Sequence, residues 1–195
     1  MRLLVLLCFA SGARCGSIRL EQLTIWIYDY APVPPETLEK ALVKSQEIFL
    51  KAGIEMKWLK CRPYIELPCL PPLQSTDLLV RIVSETTDRR MQSSEALGCV
   101  LVDNKKMGLW ISVFYGPLEH KARNAGWATS LLLGLVITHE VGHFFALEHH
   151  RPEGIMRPSF GPTEIWQASS DTLIFDRVHA QDLRTAIATR KSTSP

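Results

Sequence analysis

The sequence has no long unbroken hydrophobic run, no excess of charge of one sign and no Cys-x-x-Cys pair. Each absence removes a class of function. Nothing approaches the roughly 18 consecutive apolar residues that a membrane-spanning helix requires. With 22 basic against 20 acidic residues, the formal net charge is +2. That is too small to attract nucleic acid or an anionic membrane by charge alone. Without Cys-x-x-Cys, neither a thiolate zinc site nor a thioredoxin-like redox centre is expected. The aspartates are scattered, so structural calcium is not expected either. No internal repeat or low-complexity tract interrupts the chain. What is present is ordinary globular material: 195 residues, 46% hydrophobic and 22% charged, which suits one domain with a proper core.

The N-terminus has the layout of a secretory signal peptide. Met1-Arg2 is a short basic start, Leu3 to Ala10 (LLVLLCFA) is an apolar core, and the small residues Ser11-Gly12-Ala13 follow. Cleavage after Ala13 fits the small-x-small rule, with Cys15 and Gly16 as other cleavage points. The expected organisation is a signal over about residues 1–16 and a single catalytic domain over 17–195. The product would be secreted, extracellular or periplasmic, with no stable membrane insertion once the signal is removed.

Export makes disulfides permissible. Cys61 and Cys69 flank a proline-rich loop (CRPYIELPCLPP) that a bridge between them would close. Cys99 then pairs with Cys15 if Cys15 survives processing, or stays a buried thiol. The four cysteines other than Cys8 allow three pairings.

Leu23 to Tyr30 alternates and is rich in β-formers, which predicts a strand. Glu36 to Ala52 has helical apolar spacing, with Gly53 as its stop. Ile54 to Cys61, Asp77 to Val83, Leu97 to Asp103 and Leu109 to Tyr115 predict four more strands. Ala128 to Leu147 is a long apolar helix. A broken segment with Gly154, Pro158, Gly161 and Pro162 comes next. The last helix is expected over Leu173 to Ala188, with Leu173, Phe175, Val178, Leu183 and Ile187 as its core face. The order is that of a mixed α/β domain.

The chemistry lies in the long apolar helix. Thr138-His139-Glu140-Val141-Gly142-His143 contains His-Glu-x-x-His. Residues four apart share a helix face, so two imidazoles can reach one metal while Glu140 sits one step round, beside the metal's water. A catalytic zinc needs a third protein ligand and one open position. His149 is the candidate, with His150 as its rival; with His139 and His143 they place four of the six histidines within one short stretch. On a continuous helix His149 would lie about 9 Å further along the axis than His143. The helix must therefore end between them. Ala146 stands where a glycine would be the natural turn residue, and a left-handed alanine costs on the order of 1 kcal/mol.

His139-Glu140-x-x-His143-x-x-Ala146-x-x-His149 resembles the metzincin signature, with Ala where that family has Gly. Gly154-Ile155-Met156-Arg157-Pro158 resembles its methionine-bearing turn, closest to the matrixin-like branch. No tyrosine follows Met156 closely, so the extra tyrosine ligand of the astacin-like and serralysin-like branches is not supported. No Cys-rich second zinc site is present, which argues against the archaemetzincin type. The resemblance implies a twisted, mixed five-stranded sheet of α/β (α+β) class, with an active-site helix, a Met-turn and a C-terminal helix. It implies an antiparallel edge strand, Leu97 to Asp103, lining the cleft. A segment from Pro158 through Trp166 would wall the pocket beside the scissile bond.

The function it implies is that of a zinc-dependent metalloendopeptidase acting on peptide or protein substrates. One Zn2+ on His139, His143 and His149 would polarise the scissile carbonyl and activate water, with Glu140 as general base. Two alternatives stay open. One is a catalytically silent zinc-binding module of the same fold, suggested by Ala146. The other is a gluzincin-type peptidase in which a downstream acid such as Glu164 replaces His149.

Overall fold

The computed structural model describes residues 20–61, 77–85, 96–102, 108–148 and 154–192. The expected signal segment, Cys15, Cys69, His149 and His150 lie outside the described residues.

Strand β1 (Glu21–Asp29) buries alternate residues, Leu23, Ile25 and Ile27, on one face. Helix α1 (Pro35–Lys51) follows. Proline opens it, where a missing N–H costs nothing, and Leu38, Ala41, Leu42, Ile48 and Phe49 form its buried stripe. The chain turns at Gly53 (φ +81) into β2 (Ile54–Cys61). Strands β3 (Leu78–Val83), β4 (Gly98–Val102) and β5 (Gly108–Phe114) come next. Helices α2 (Tyr115–Ala125), α3 (Thr129–Phe144), α4 (Pro162–Ser169) and α5 (Arg177–Ser192) complete the described elements.

The five strands form one sheet in the order β2-β1-β3-β5-β4. β1 runs parallel to β2 and β3, and β3 parallel to β5; β4 is the antiparallel edge, with a bulge between Leu101 and Val102. The inner residues of β1, β3 and β5 pack on α1 and α3, which also pack on each other. α3 is apolar nearly all round, and twelve of its residues are buried. That is the signature of a central helix enclosed by the core. It passes against β5 and β4, so the histidine motif lies beside the edge strand. This is the mixed α/β architecture that the sequence predicts, with the antiparallel edge strand that the resemblance implies.

Three local expectations differ. α2 was not foreseen, because Gly116 and Pro117 look like helix breakers. In the first turn, however, the N–H groups have no intrahelical partner to lose, and the Gly116 N–H bonds the Ser84 carbonyl instead. α4 was expected to be irregular. Pro162 opens it, and the Glu164 carboxylate accepts from the Gly161 N–H at 2.8 Å. The last helix starts at Arg177 rather than Leu173. Leu173 and Phe175 reach the core from an extended segment, and Asp176 caps the helix through the Val178 and His179 N–H groups. Val178 consequently faces solvent, while His179 and Ala180 are buried.

Cys61 is disulfide-bonded, with its partner outside the described residues. Cys99 carries a thiol.

Candidate metal centre

His139, Glu140 and His143 lie in the C-terminal half of α3. Just upstream, Thr138 Oγ1 donates to the Gly134 carbonyl at 2.8 Å and lies 2.9 Å from the Ser45 hydroxyl of α1. This buried pair resists rotation of α3 about its axis at the residue before the motif. The two imidazoles meet edge to face, with centroids 4.6 Å apart and Nε2 atoms 3.0 Å apart.

Each ring is oriented through its other nitrogen. His139 Nδ1 bonds the Ile155 carbonyl at 2.8 Å, and His143 Nδ1 bonds the Leu147 carbonyl at 2.8 Å. A carbonyl only accepts, so each Nδ1 carries the proton. In the neutral rings each Nε2 then presents a lone pair, and the two Nε2 atoms lie 3.0 Å apart. A cation fits between two such lone pairs, and the carbonyl bonds are the outer contacts that fix tautomer and direction in histidine metal sites.

α3 ends where the sequence requires. Its last residue is Phe144, and Ala146 adopts φ 60, in the left-handed region. The Leu147 N–H bonds the Gly142 carbonyl at 3.1 Å, and the Ala146 N–H bonds the His143 carbonyl at 2.9 Å. This is a Schellman cap with alanine in the position that glycine usually takes. The cap has a functional consequence, since it places the Leu147 carbonyl on His143.

Met156 is buried directly beneath the motif. A Cβ added at Gly142 would overlap its Sδ and Cε. The expected methionine turn is therefore in place, with Gly154 (φ +85) opening it and the Ile155 N–H bonded to the Ile174 carbonyl.

Glu140 is enclosed, and burial pushes its carboxyl up to about 8. It packs against Gly98, the first residue of β4, where any Cβ would lie within 3.0 Å of the Glu140 side chain. Gly98 was not singled out by sequence reasoning. An isolated glycine at a strand position is the available signal, since it marks close approach.

The motif opens on a cleft of about 780 Å³, walled by Leu97, Gly98 and Val100 of β4 and by Pro158 and Phe160. The wall beyond Pro158 is shorter than expected: Trp166 sits on α4, 67% exposed, and does not line the cleft.

Among the described residues, no third His, Cys, Asp or Glu joins His139 and His143 in a metal-binding group. Glu164, the alternative ligand, is otherwise engaged. One carboxylate oxygen pairs with the Arg157 guanidinium and the other accepts from the Gly161 N–H.

No family model matches the sequence, and no curated protein matches it. The structure is similar to that of an archaemetzincin from Methanopyrus kandleri, with a TM-score of 0.58 at 15% identity, over 86% of this chain and 96% of that one. It is also similar to a zinc-dependent peptidase from Methanocorpusculum labreanum (strain Z), with a TM-score of 0.55 at 14% identity, over 82% of this chain and 99% of that one. At such identities the likeness establishes a shared fold. It does not single out the matrixin-like branch, and one neighbour is of the archaemetzincin type that the missing Cys-rich site argued against.

Proposed function

We propose that the protein is an exported zinc-dependent endopeptidase. His139, His143 and His149 hold one zinc ion, and Glu140 is the general base. The observation that carries this reading is the pair of Nε2 lone pairs 3.0 Å apart, each fixed by a carbonyl on the far nitrogen of its ring. Two further features support it. Ala146 already bends the chain, so the axial distance that would keep His149 from the other ligands on a straight helix does not arise. The carboxylate alternative, Glu164, is tied to Arg157 and Gly161.

An ion bound there would supply the Lewis acidity that polarises a peptide carbonyl and makes water nucleophilic at neutral pH. The remaining work falls to the chain. The cleft walls exclude bulk water and receive an extended peptide. Glu140 removes the proton from the attacking water and returns it to the departing amine nitrogen. Burial strengthens Glu140 as a base, while a neighbouring dication keeps a carboxylate ionised at neutral pH.

The test is a peptide-library digest with the purified protein, with and without a chelator, beside a metal assay. The expected result is about one zinc per chain and chelator-sensitive cuts. Protein isolated metal-free and indifferent to added zinc would sink the proposal. Protein that binds one zinc and cuts nothing would be the silent module. Loss of zinc from a His149→Ala variant separates the three-histidine site from a carboxylate-ligated one. Sequencing the N-terminus of exported protein tests signal removal near residue 16.

A further inference from the structure

Among the described residues, the cleft carries one cation that the proposed chemistry does not use. Helix α2 docks on α3 through Leu118 and Ala122, both fully buried. Lys121 stands on the flank of that stripe, half-buried, and lines the same cleft as His139, Glu140 and His143. Only residues 126–128 separate α2 from α3, and the Trp127 N–H closes that turn on the Ala122 carbonyl at 2.8 Å. Lys121 therefore borders the N-terminal half of α3, on the side of Val136, one helical turn before Glu140.

Lys121 makes no ion pair or hydrogen bond among the described residues. The acid nearest to it on its own helix, Glu119, faces Arg123 at 3.3 Å. Leu97, Val100 and Val136 line the same cleft, as do the carboxylates of Glu140 and Glu148. The Lys121 methylene stem can lie on that apolar wall, which leaves the ammonium for an anionic group that enters the cleft.

We infer that Lys121 is a specificity determinant that recognises a carboxylate on the substrate. This rests on the peptidase reading and names a substrate class for it: peptides bearing an acidic side chain near the scissile bond, or ending in a free carboxylate within reach of the cleft. A charge-assisted hydrogen bond in a half-buried site corresponds to about a tenfold preference.

The test uses matched peptides. One set carries Glu or Gln, position by position, around the cleaved bond; a second set ends in a free acid or an amide. Each is assayed with the wild type, Lys121→Met and Lys121→Glu. The wild type is expected to show about a tenfold higher kcat/KM for the carboxylate member of one pair, and which set responds identifies the source. The ratio should fall to about one in Lys121→Met, and Lys121→Glu should favour a Lys-bearing peptide. The same ratio should appear in the Kd of labelled peptides for zinc-loaded Glu140→Gln protein, which reads binding without turnover. Absence of preference in both sets, or a preference that survives in Lys121→Met, overturns the inference. If the wild type cuts nothing while Lys121-dependent carboxylate binding is present, the peptidase reading fails and the role of Lys121 stands.

Discussion

The cap that ends α3 and the turn at 154–157 each present one backbone carbonyl to a histidine, but they are built differently. The cap is local. His143 bonds the carbonyl of a residue four positions on, and the cap's shape follows from Ala146 alone adopting φ 60. The turn is tertiary. His139 bonds a carbonyl sixteen positions on, and that carbonyl is placed by Met156 packing under Gly142 and by the bond from the Ile155 N–H to Ile174. One histidine thus depends on backbone conformation, and the other on how distant segments pack. Damage to the two supports should have different signatures.

The largest effect is expected where neither support is touched. Glu140→Gln leaves both carbonyl bonds intact, so zinc content should be unchanged while turnover falls about 10²–10⁴-fold. Full activity would overturn the role given to Glu140, and loss of zinc would show that the carboxyl also maintains the ligand geometry. Met156→Ala strikes the tertiary support. Emptying this buried position should cost about 2–5 kcal/mol in denaturant unfolding, and a displaced Ile155 carbonyl should weaken zinc binding by about 10–100-fold. An unchanged zinc affinity would mean that His139 needs no help from the turn.

Gly142→Ala probes the contact between the two supports. The gain in helix propensity, up to about 1 kcal/mol, is opposed by overlap with Met156, which should cost about 1–3 kcal/mol. Net destabilisation is expected. Combined with Met156→Ala, the penalty should be less than additive by at least about 0.5 kcal/mol in a double-mutant cycle. Strict additivity would show that the methionine does not press on the helix at Gly142.

Ala146→Gly should have the smallest effect, and it is a favourable one. Relieving a left-handed alanine should raise stability by up to about 1 kcal/mol, less the entropy that glycine adds to the unfolded chain. Ala146→Val, β-branched at positive φ, should lower stability and zinc affinity together. If valine is tolerated without loss, the cap does not control His143.

Much of the molecule was legible from residue pattern. β2 was expected over the residues it occupies, because Ile54, Met56 and Trp58 alternate with Glu55 and Lys57. The shared face of His139 and His143 follows from four-residue spacing on a helix, and the need for a break before His149 follows from helical rise. The missed elements share a cause. α2 and α4 begin with Gly-Pro pairs that mark loops when read by composition, yet are compatible with the first turn of a helix when neighbouring structure accepts the exposed N–H groups. Val178 was placed in the core because the start of α5 depends on the Asp176 cap, and a shift of one helical position rotates the buried face by about 100°.

The sequence by itself determined the class of fold, the pair of imidazoles on one helical face, the carboxylate of Glu140 one step round from them and the bend at Ala146. All of these arise from contacts within a few residues, where bond geometry leaves little choice. Tertiary structure alone decided that Gly98 makes room for Glu140, that Met156 lies under Gly142, that Glu164 is bound to Arg157, and that Lys121 borders the cleft. Those pairs are separated along the chain by between 7 and 42 positions. Nothing in local propensity specifies which distant side chains meet when a sheet and its helices close around a common core.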